Sequence, residues 1–496
     1  MTLQIQNKFR RKFKPIEFFC GNELSKYFLL PFRFFRINEN REVLVNEVGD
    51  FLIVPVGSTE MIVNRRISRE SYPDLYSDLL ANFIISEEKV PKILEVISTR
   101  YRTKKSFLDN FTSLHIFVMT LRCEHSCHYC QVSRVTKDKT RFDMKREHVD
   151  LGIDIMLKSP SENVTMEFQG GEAMLAFENV AYAVESTKSK AKGVNKNITF
   201  VLCTNLASVT TETLEFCRDN DILISTSLDG PDFIHNRNRK KKDNDSYQLT
   251  IRGINMAREI LGHDRVSALM TTTNLSLKYP HEIVDEYFKN NFRSIFLRSV
   301  SPYGFAVRNE SLNLYQSSEF LTFYKKALGR ILEYNLCGEY FREDFASILL
   351  KKMMTPFPVG FVDLQSPSGM LNNVIVFNYD GNVYATDESR MLAEMSDFSF
   401  LIGKLGQDSY EDIFYGEKAM QLSEYWTNES LAGCSECAFQ PYCGSDPVWN
   451  YSTQGDMYGY RPTSSFCKKN MEIIRHLFEL MDNDKDIEKI FLDWTK

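Results

Sequence analysis

The sequence lacks several features that define large classes of protein. Its 496 residues contain no apolar run of about 18 residues, the length of a membrane-spanning helix, and no apolar segment of a secretory signal at the start. Gly and Pro number only 23 and 15, which excludes collagen-like and wholly disordered chains. No internal repeat is visible. These absences predict a globular, cytoplasmic protein without a membrane partner.

An excess of basic residues is also missing. Lys and Arg number 60 and Asp and Glu number 66, so the formal net charge is 60 minus 66, or -6. Proteins that bind duplex DNA depend on a strong positive potential, and we therefore expect no nucleic-acid partner. The chain is longer than one ordinary domain of roughly 100–200 residues, which predicts two or three domains.

Eleven cysteines are present, and structural disulfides are not expected in a cytoplasmic protein. Seven of the cysteines fall into two groups, and these groups carry the predicted chemistry. The other four are expected to be small buried apolar residues. These isolated cysteines are Cys20, Cys203, Cys217 and Cys337.

Changes of pattern divide the chain into three predicted domains, residues 1–108, 109–311 and 312–496. The first has two strand-like runs around a turn, followed by two segments with helical spacing of apolar residues. The third has a long helical stretch up to Cys337, then a hairpin pattern and a last amphipathic helix. In the first domain the strand-like runs are 43–47 and 51–55 and the helical segments are 72–85 and 90–102. In the third domain the hairpin is 374–384 and the last helix is 468–481.

The second domain alternates strand-like and helix-like segments, a pattern typical of parallel βα units. We predict an α/β fold, a partial barrel of six βα units rather than the complete barrel of eight. The six strand-like runs are 114–121, 164–168, 198–203, 222–228, 266–271 and 294–298. Active sites of such folds lie at the carboxyl ends of the strands, where this sequence places its first group of cysteines and several carboxylates and amides.

The first cysteine group, Cys123, Cys127 and Cys130, comes directly after the first of these strands with the spacing C-x3-C-x2-C. Three thiolates on one short loop can hold three irons of a cubane cluster and leave the fourth iron open. An open iron can bind S-adenosylmethionine, whose reductive cleavage gives a 5'-deoxyadenosyl radical. A zinc site with His125 or His128 as fourth ligand is the alternative. Both histidines are otherwise expected to face solvent.

This loop resembles that of the radical SAM enzymes. The resemblance implies a radical SAM barrel that binds S-adenosyl-L-methionine, with Glu172 and its adjacent backbone at the methionyl amine, Thr204 and Asn205 near the ribose, and Arg239 at the methionyl carboxylate. Strand-end hydrogen bonding is the alternative for Thr204 and Ser227, and a solvated basic run for Arg239. The implied cofactor-binding set is Tyr129, Gln169, Gly170, Gly171, Glu172, Thr204, Asn205, Ser227 and Arg239.

The second cysteine group resembles the SPASM domain of peptide-modifying radical SAM enzymes. It consists of Cys434, Cys437, Cys443 and Cys467. The resemblance implies one fully ligated auxiliary cluster, with zinc as the alternative. Thr386 and Pro447 stand where relatives with two auxiliary clusters have cysteines, so two 4Fe-4S clusters are expected in all. Asp387 follows Thr386 where sulfatase-maturing relatives have a catalytic aspartate; a plain turn carboxylate is the alternative.

The amino-terminal domain resembles the winged-helix-like peptide-recognition module of enzymes that modify ribosomally made peptides. Such a module binds a leader peptide by adding it as a strand to an exposed sheet edge. A simple packing module is the alternative.

Segments along nearly the whole chain resemble the radical SAM maturases of His-Xaa-Ser peptide systems. They are residues 31–36, 113–123, 130–134, 168–172 and 379–388. The resemblance implies an enzyme that joins an aromatic ring to a nearby β-carbon, forming a three-residue cyclophane in a precursor peptide with a leader. Flavodoxin or ferredoxin is the implied electron donor. Two alternatives stay open, oxidation of Ser or Cys to formylglycine in a sulfatase, and a non-catalytic iron–sulfur or zinc protein.

Overall fold

A computed structural model describes residues 27–89, 92–132 and 138–496. The chain divides into two compact units, of which the first ends at Arg102 and the second runs from Thr103 to Lys496. The division into three domains stays a prediction. Four features named above fall at least partly outside the described residues, namely Cys20, the start of the first domain, residues 90 and 91 of a predicted helix, and Ser133 and Arg134 of a motif segment.

The first unit contains the predicted hairpin and helices. Strands β2, β3 and β4 form an antiparallel sheet in that order, and β1 pairs with β5. The strands are β1 Phe28–Leu29, β2 Phe32–Arg36, β3 Arg41–Asn46, β4 Phe51–Pro55 and β5 Ile85–Ser86. The helices that begin in this unit are Ser58–Val63, Pro73–Ala81 and Ile93–Lys105. The hairpin β3–β4 is confirmed, with Gly49 in its turn at a φ of 84°, whereas β2 was not predicted.

A buried carboxylate joins this sheet to its first helix. Glu42 on β3 is 2% exposed and accepts hydrogen bonds of 2.6 Å from both the backbone N–H and the hydroxyl of Thr59. A buried carboxylate is tolerated only when its oxygens find donors, and the start of a helix offers unpaired N–H groups. The apolar faces of the sheet and helices close over one core.

The second unit is built on a sheet of eight strands in the order β10-β9-β8-β7-β6-β13-β14-β15. The strands β6 to β10 and β13 run parallel, and β14 and β15 are antiparallel to their neighbours. The eight strands are β6 Leu114–Thr120, β7 Asn163–Gly170, β8 Asn197–Cys203, β9 Ile222–Ser227, β10 Val266–Leu269, β13 Val374–Phe377, β14 Asn382–Tyr384 and β15 Leu401–Lys404. This sheet confirms the predicted α/β class with a parallel barrel-like core.

Helices follow most of these strands and complete the second unit. They are Lys139–Phe142, Arg146–Leu157, Phe177–Lys190, Thr211–Asp219, Asp232–Asn238, Ser246–Leu261, Pro280–Lys289, Phe305–Arg308, Glu310–Asn313, Ser317–Leu336, Asp344–Met354, Gly369–Asn372, Asp387–Ala393, Tyr410–Tyr415, Glu417–Ser423, Pro447–Gln454, Ser465–Asn483 and Lys485–Trp494. Within the described ranges, no helix has the length and apolar character needed to cross a membrane.

The predicted sixth strand of the barrel is wrong in part. Only Ser294–Ile295 (β11) is a strand, and it pairs with Arg342–Glu343 (β12) in a separate ladder, while Ser299 makes one isolated bridge to Thr272. The buried carboxylate of Glu343 explains the departure, because it accepts a 3.0 Å hydrogen bond from the Leu297 N–H and draws this segment away from the sheet.

The predicted hairpin at 374–384 is confirmed, but its place in the fold was not foreseen. Its first strand, β13, pairs with β6 and extends the barrel sheet. Phe117 on β6 and Phe377 on β13 are both fully buried, with ring centroids 4.9 Å apart. Main-chain pairing and aromatic packing together hold the hairpin to the barrel.

We expect Phe377→Ala to destabilise the second unit by about 3–5 kcal/mol, because it removes a buried aromatic ring and leaves a cavity between two strands. Phe398→Ala is the matched control, since that ring is 53% exposed and its loss costs within about 0.5 kcal/mol. Urea denaturation of both variants measures the difference. Equal midpoints would contradict the packing role of the hairpin.

Candidate active site

The cysteine loop begins at the end of β6, where a charged pair fixes its first turn. Arg122 donates to both carboxylate oxygens of Asp143 at 2.6 and 2.7 Å, and its guanidinium also donates to the Leu175 carbonyl at 2.6 Å. The Thr120 hydroxyl donates to the same carboxylate at 2.6 Å. Bidentate Arg–carboxylate pairs are directional, so this contact sets the path of the loop that carries the cysteines.

Gly170 and Gly171 are needed because two backbones meet at this point. The Gly171 N–H donates to the Thr120 carbonyl and the Glu172 N–H donates to the Arg122 carbonyl, both at 2.7 Å. A Cβ on Gly170 would lie 2.1 Å from the Thr120 oxygen, and one on Gly171 would lie 2.3 Å from the Arg122 oxygen. The backbone approach predicted for this tripeptide is therefore made to the cysteine loop.

Glu172 lies at the centre of a buried hydrogen-bond network. It accepts from the Thr204 hydroxyl at 2.6 Å, the Asn205 N–H at 2.8 Å and the Met174 N–H at 3.0 Å. Burial, and then the nearby Glu124 carboxylate, raise the pKa of Glu172 to about 7. The structure thus brings Glu172, Thr204 and Asn205 together beside the cysteine loop, as expected for residues at the carboxyl ends of adjacent parallel strands.

The expectation that the histidines face solvent is wrong for His125, whereas His128 is partly exposed. His125 is 2% exposed, and its ring nitrogens lie 2.8 Å from the Ser246 hydroxyl and 3.1 Å from the Asn205 amide. The ring nitrogens of His128 lie 2.6 Å from Asn313 and 3.2 Å from Asn238. Both rings are held in position by amide and hydroxyl partners from distant segments.

These contacts also bear on the zinc alternative. In the described part of the chain, one group of three side chains has potential metal-ligand atoms within 4.8 Å of one another, namely Cys123, Glu124 and His125. His125 is therefore close enough to Cys123 to share a metal ion with it, and the zinc alternative stays open.

A second buried carboxylate lies behind the loop. Asp229 is fully buried and accepts a 2.7 Å hydrogen bond from the Tyr129 hydroxyl. Its other oxygen forms an ion pair with the Arg239 guanidinium at 3.2 Å, and that guanidinium also lies 5.4 Å from the centre of the Tyr129 ring. Tyr129 and Arg239 are therefore adjacent, next to Cys127. Ser227, the last residue of β9, stands at the same edge of the sheet opposite Leu269.

The surroundings of the loop cysteines favour a bound cationic metal centre over free thiols. Burial raises the pKa of Cys127 to about 12, although Arg239 opposes the shift. Burial, with Glu172 and Glu124, also raises the pKa of Cys123. Such thiols ionise only where a bound metal centre compensates the thiolate charge. No three sulfurs of the described cysteines lie within 4.8 Å of one another. In a zinc site with 2.3 Å bonds the sulfurs lie about 3.8 Å apart, so the cysteine sulfurs are more widely separated here.

The four carboxy-terminal cysteines share one environment. Burial, followed by the thiols of Cys443, Cys437 and Cys434, raises the pKa of Cys467 to about 12. Arg461 donates a 2.9 Å hydrogen bond to the Cys434 sulfur, the kind of contact that tunes a metal–sulfur centre. Of the isolated cysteines, Cys217 is buried as expected, Cys203 is partly buried, and Cys337 is exposed, so the expectation for Cys337 is wrong.

A cavity of about 840 Å³ occupies the inside of the second unit. Gln169 lies on its wall and donates a 2.6 Å hydrogen bond to Glu167, which lies two residues earlier on the same face of β7. Asp387 also lines it and forms a 3.0 Å ion pair with the buried Arg390. Aromatic rings make up much of the remaining wall. They are those of Phe296, Phe320, Phe345, Phe361, Trp449 and Phe466.

Sequence reasoning missed other ionisable groups of this cavity. Burial, and then Asp363 and Asp387, raise the pKa of Glu388 to about 8. Burial and Asp363 likewise raise the pKa of Asp446 to about 7. Lys469 lies over the Trp449 ring, with its ammonium nitrogen 5.5 Å from the ring centre. Glu388 ends the motif segment 379–388, but no local pattern connects it with Asp446 and Lys469, which come from separate segments of the third predicted domain.

Comparison with known proteins agrees with this geometry. Residues 117–286 match the family model of the Radical SAM superfamily. The chain is 22% identical over 386 residues to a serine-type anaerobic sulfatase-maturating enzyme of Bacteroides thetaiotaomicron, covering 74% of this chain and 88% of that protein.

Two solved structures share the fold. The first is anSMEcpe with bound AdoMet, with a TM-score of 0.60 and 18% identity over 75% of this chain and 98% of the other. The second is Streptococcus suis SuiB bound to its precursor peptide SuiA, with a TM-score of 0.51 and 11% identity over 88% and 99% of the two chains.

The family match confirms the predicted radical SAM domain. The cofactors typical of such a domain, S-adenosylmethionine and an iron–sulfur cluster, are those that the cysteine loop predicted. The roles of the individual site residues stay predictions.

The folded protein is expected to lose stability at high pH, and we expect Glu388→Gln to reduce that loss. Between the ordinary glutamate pKa of 4.5 and the folded value of about 8, the folded chain keeps a proton that the unfolded chain releases, so stability falls as pH rises through this window. The variant cannot ionise, and its Tm should exceed that of the wild type by about 2–4 °C at pH 9 but not at pH 5. Glu417→Gln, at an exposed glutamate, is the control. A constant difference in Tm at both pH values would contradict the assignment.

Proposed function

We propose that this chain is a maturase that uses its radical SAM domain to modify a ribosomally made precursor peptide. One observation carries the proposal, namely that the three loop cysteines and the Glu172 network stand at the carboxyl edge of a barrel with an internal cavity of about 840 Å³. Cavities of this size hold several side chains of a peptide. The solved relative SuiB was determined with its precursor peptide bound, which supports a peptide substrate.

The cofactors would be held by the residues named from the sequence. Cys123, Cys127 and Cys130 would hold a 4Fe-4S cluster, and the four carboxy-terminal cysteines a second one. S-adenosylmethionine, when bound, supplies the radical that removes a hydrogen from the peptide. In this proposal Glu172 would accept from the ammonium group of the cofactor. Arg239, which pairs with Asp229 at 3.2 Å, would bind its carboxylate.

The chain itself would position the peptide and receive a proton. The aromatic wall of the cavity is suited to holding a substrate ring by edge and face contacts. Asp387 would accept the proton that leaves when the ring regains its aromaticity, and Arg390 orients its carboxylate. On this basis we propose a cross-link between an aromatic ring and the β-carbon of a nearby residue, giving a three-residue cyclophane.

The first unit would bind the leader of the precursor. Among the described residues, β2 and β4 are the outer strands of the three-stranded sheet, and an outer strand can be extended by a peptide that adds to it as a further strand. On β2, Phe34 is 52% exposed, so it can give selectivity to the docking.

Oxidation of Ser or Cys to formylglycine is the second candidate. The likeness to a serine-type anaerobic sulfatase-maturating enzyme favours it, and Asp387 could serve as the proton acceptor there as well. Both reactions remove two hydrogens, so intact mass does not separate them. Tandem fragmentation of the product and an aldehyde-reactive label do, and an aldehyde would overturn the cross-link. The substrate for this test is a candidate precursor peptide, to be sought as a short open reading frame beside the gene of this chain.

We expect Cys127→Ala to abolish formation of 5'-deoxyadenosine from S-adenosylmethionine, by at least about 100-fold, under anaerobic conditions with dithionite. The loop loses one of three iron ligands, while the four carboxy-terminal cysteines keep theirs, so bound iron should fall without disappearing. Cys337→Ala, at an exposed cysteine, is the control and should match the wild type. Full cleavage by Cys127→Ala would contradict the assignment of the loop, whereas no cleavage by the iron-loaded wild type would favour a non-catalytic protein.

We expect Asp387→Asn to lower the yield of modified peptide by about 100-fold or more, the usual contribution of a general base. Cleavage of S-adenosylmethionine should continue, because the loop cysteines are unchanged. Asp493→Asn, on the last helix, is the matched control. Quantitative mass spectrometry of peptide and 5'-deoxyadenosine from the same reaction gives both readings. A parallel loss of both products would show that Asp387 is structural.

A further inference from the structure

A basic pocket of about 250 Å³ opens next to the cysteine loop. Its ionisable lining residues are His128, Arg237, Lys240 and Lys278, and no carboxylate lines it. The exposed apolar side chain of Leu312 lies among them. The Glu172 network and the large cavity use none of the three long basic side chains.

The pocket is attached directly to the loop that carries the cysteines. The Ser126 N–H donates a 2.7 Å hydrogen bond to the Lys240 carbonyl, so the backbone of this lysine contacts the loop between Cys123 and Cys127. His128, which lies between Cys127 and Cys130 in sequence, forms part of the pocket wall. This surface is therefore a short path between solvent and the loop cysteines.

The charges of this surface are not neutralised by neighbours. Arg237, Lys240 and Lys278 are exposed, and none of them forms an ion pair with another described residue. Lys241 differs, since it pairs with Asp245 at 3.2 Å. The whole chain has a formal net charge of -6, so this surface is a local exception. A local positive field on an acidic protein guides an acidic partner to one place.

We propose that Arg237, Lys240 and Lys278 form the docking surface for an acidic, low-potential one-electron carrier protein. This inference rests on the proposed radical SAM chemistry, which needs one electron delivered to the loop centre for each cleavage. The carrier is oxidised by one electron and the centre is reduced by one electron. Interfaces of electron carriers are small, charged and transient, which matches exposed basic side chains around one apolar residue. A small anion fits less well, because these exposed cations stay hydrated.

The test compares protein and chemical reductants. A triple variant, Arg237→Glu with Lys240→Glu and Lys278→Glu, is assayed for 5'-deoxyadenosine with reduced flavodoxin, with a reduced acidic ferredoxin, and with dithionite. We expect at least a tenfold loss of rate with either carrier and an unchanged rate with dithionite. The wild-type rate with the carriers should fall steeply between about 50 and 300 mM NaCl, because salt screens exposed charges.

The matched control reverses three exposed lysines, two on the last helix and one just after it, and changes the net charge equally. The substitutions are Lys485→Glu, Lys489→Glu and Lys496→Glu. This control should keep the wild-type rates. Wild-type rates with both carriers in the first triple variant would overturn the docking surface, and so would an equal loss with dithionite. Inhibition by inorganic phosphate at constant ionic strength would assign the pocket to a small anion instead. Absence of cleavage by the wild type with every reductant would refute the proposed function itself.

Discussion

The main-chain contact between Gly170–Gly171 and the start of the cysteine loop is the constraint on which the active edge of the barrel depends. Two N–H groups after β7 donate to two carbonyls after β6, at a separation that excludes any side chain on the glycines. Because Glu172 is the next residue, the same contact fixes its carboxylate beside the loop. The Arg122–Asp143 pair then sets the direction of the loop. Cysteines and carboxylate are thus placed by backbone geometry, which leaves their side chains available for chemistry.

The cavity depends on a different long-range contact, the pairing of β13 with β6. This pairing carries the hairpin β13–β14 into the sheet, and the helix that follows begins at Asp387 with Thr386 as its cap. The capped helix brings Asp387 and Glu388 to the cavity wall. Asp446 and Lys469 reach the same wall from segments that also contain Cys443 and Cys467. The mutual repulsion and burial of these carboxylates keep some of them protonated near neutral pH, a state suited to proton exchange with a substrate.

Local patterns predicted most of the elements correctly, and the failures share a cause. Five of the six predicted barrel strands are present with similar bounds, since near-continuous apolar runs are typical of parallel strands whose two faces are both covered. The run at 294–298 failed because the carboxylate of Glu343, distant in sequence, binds its backbone. His125 and His128 were expected at the surface because a loop histidine is usually solvated. Their partners Ser246 and Asn313 come from remote helices that no local pattern connects to the loop.

The sequence by itself determined the α/β class, the order of the strands, the cysteine spacing and the position of the Gly-Gly-Glu segment after the second barrel strand. These are short-range properties, fixed by the periodicity of side chains and by the backbone freedom of glycine. Only the tertiary structure decided which carboxylates share the cavity, which histidines are buried, how the hairpin completes the sheet, and that exposed basic side chains gather beside the loop. Such groupings depend on contacts between residues far apart in the chain, whose burial and mutual charge exist only after folding.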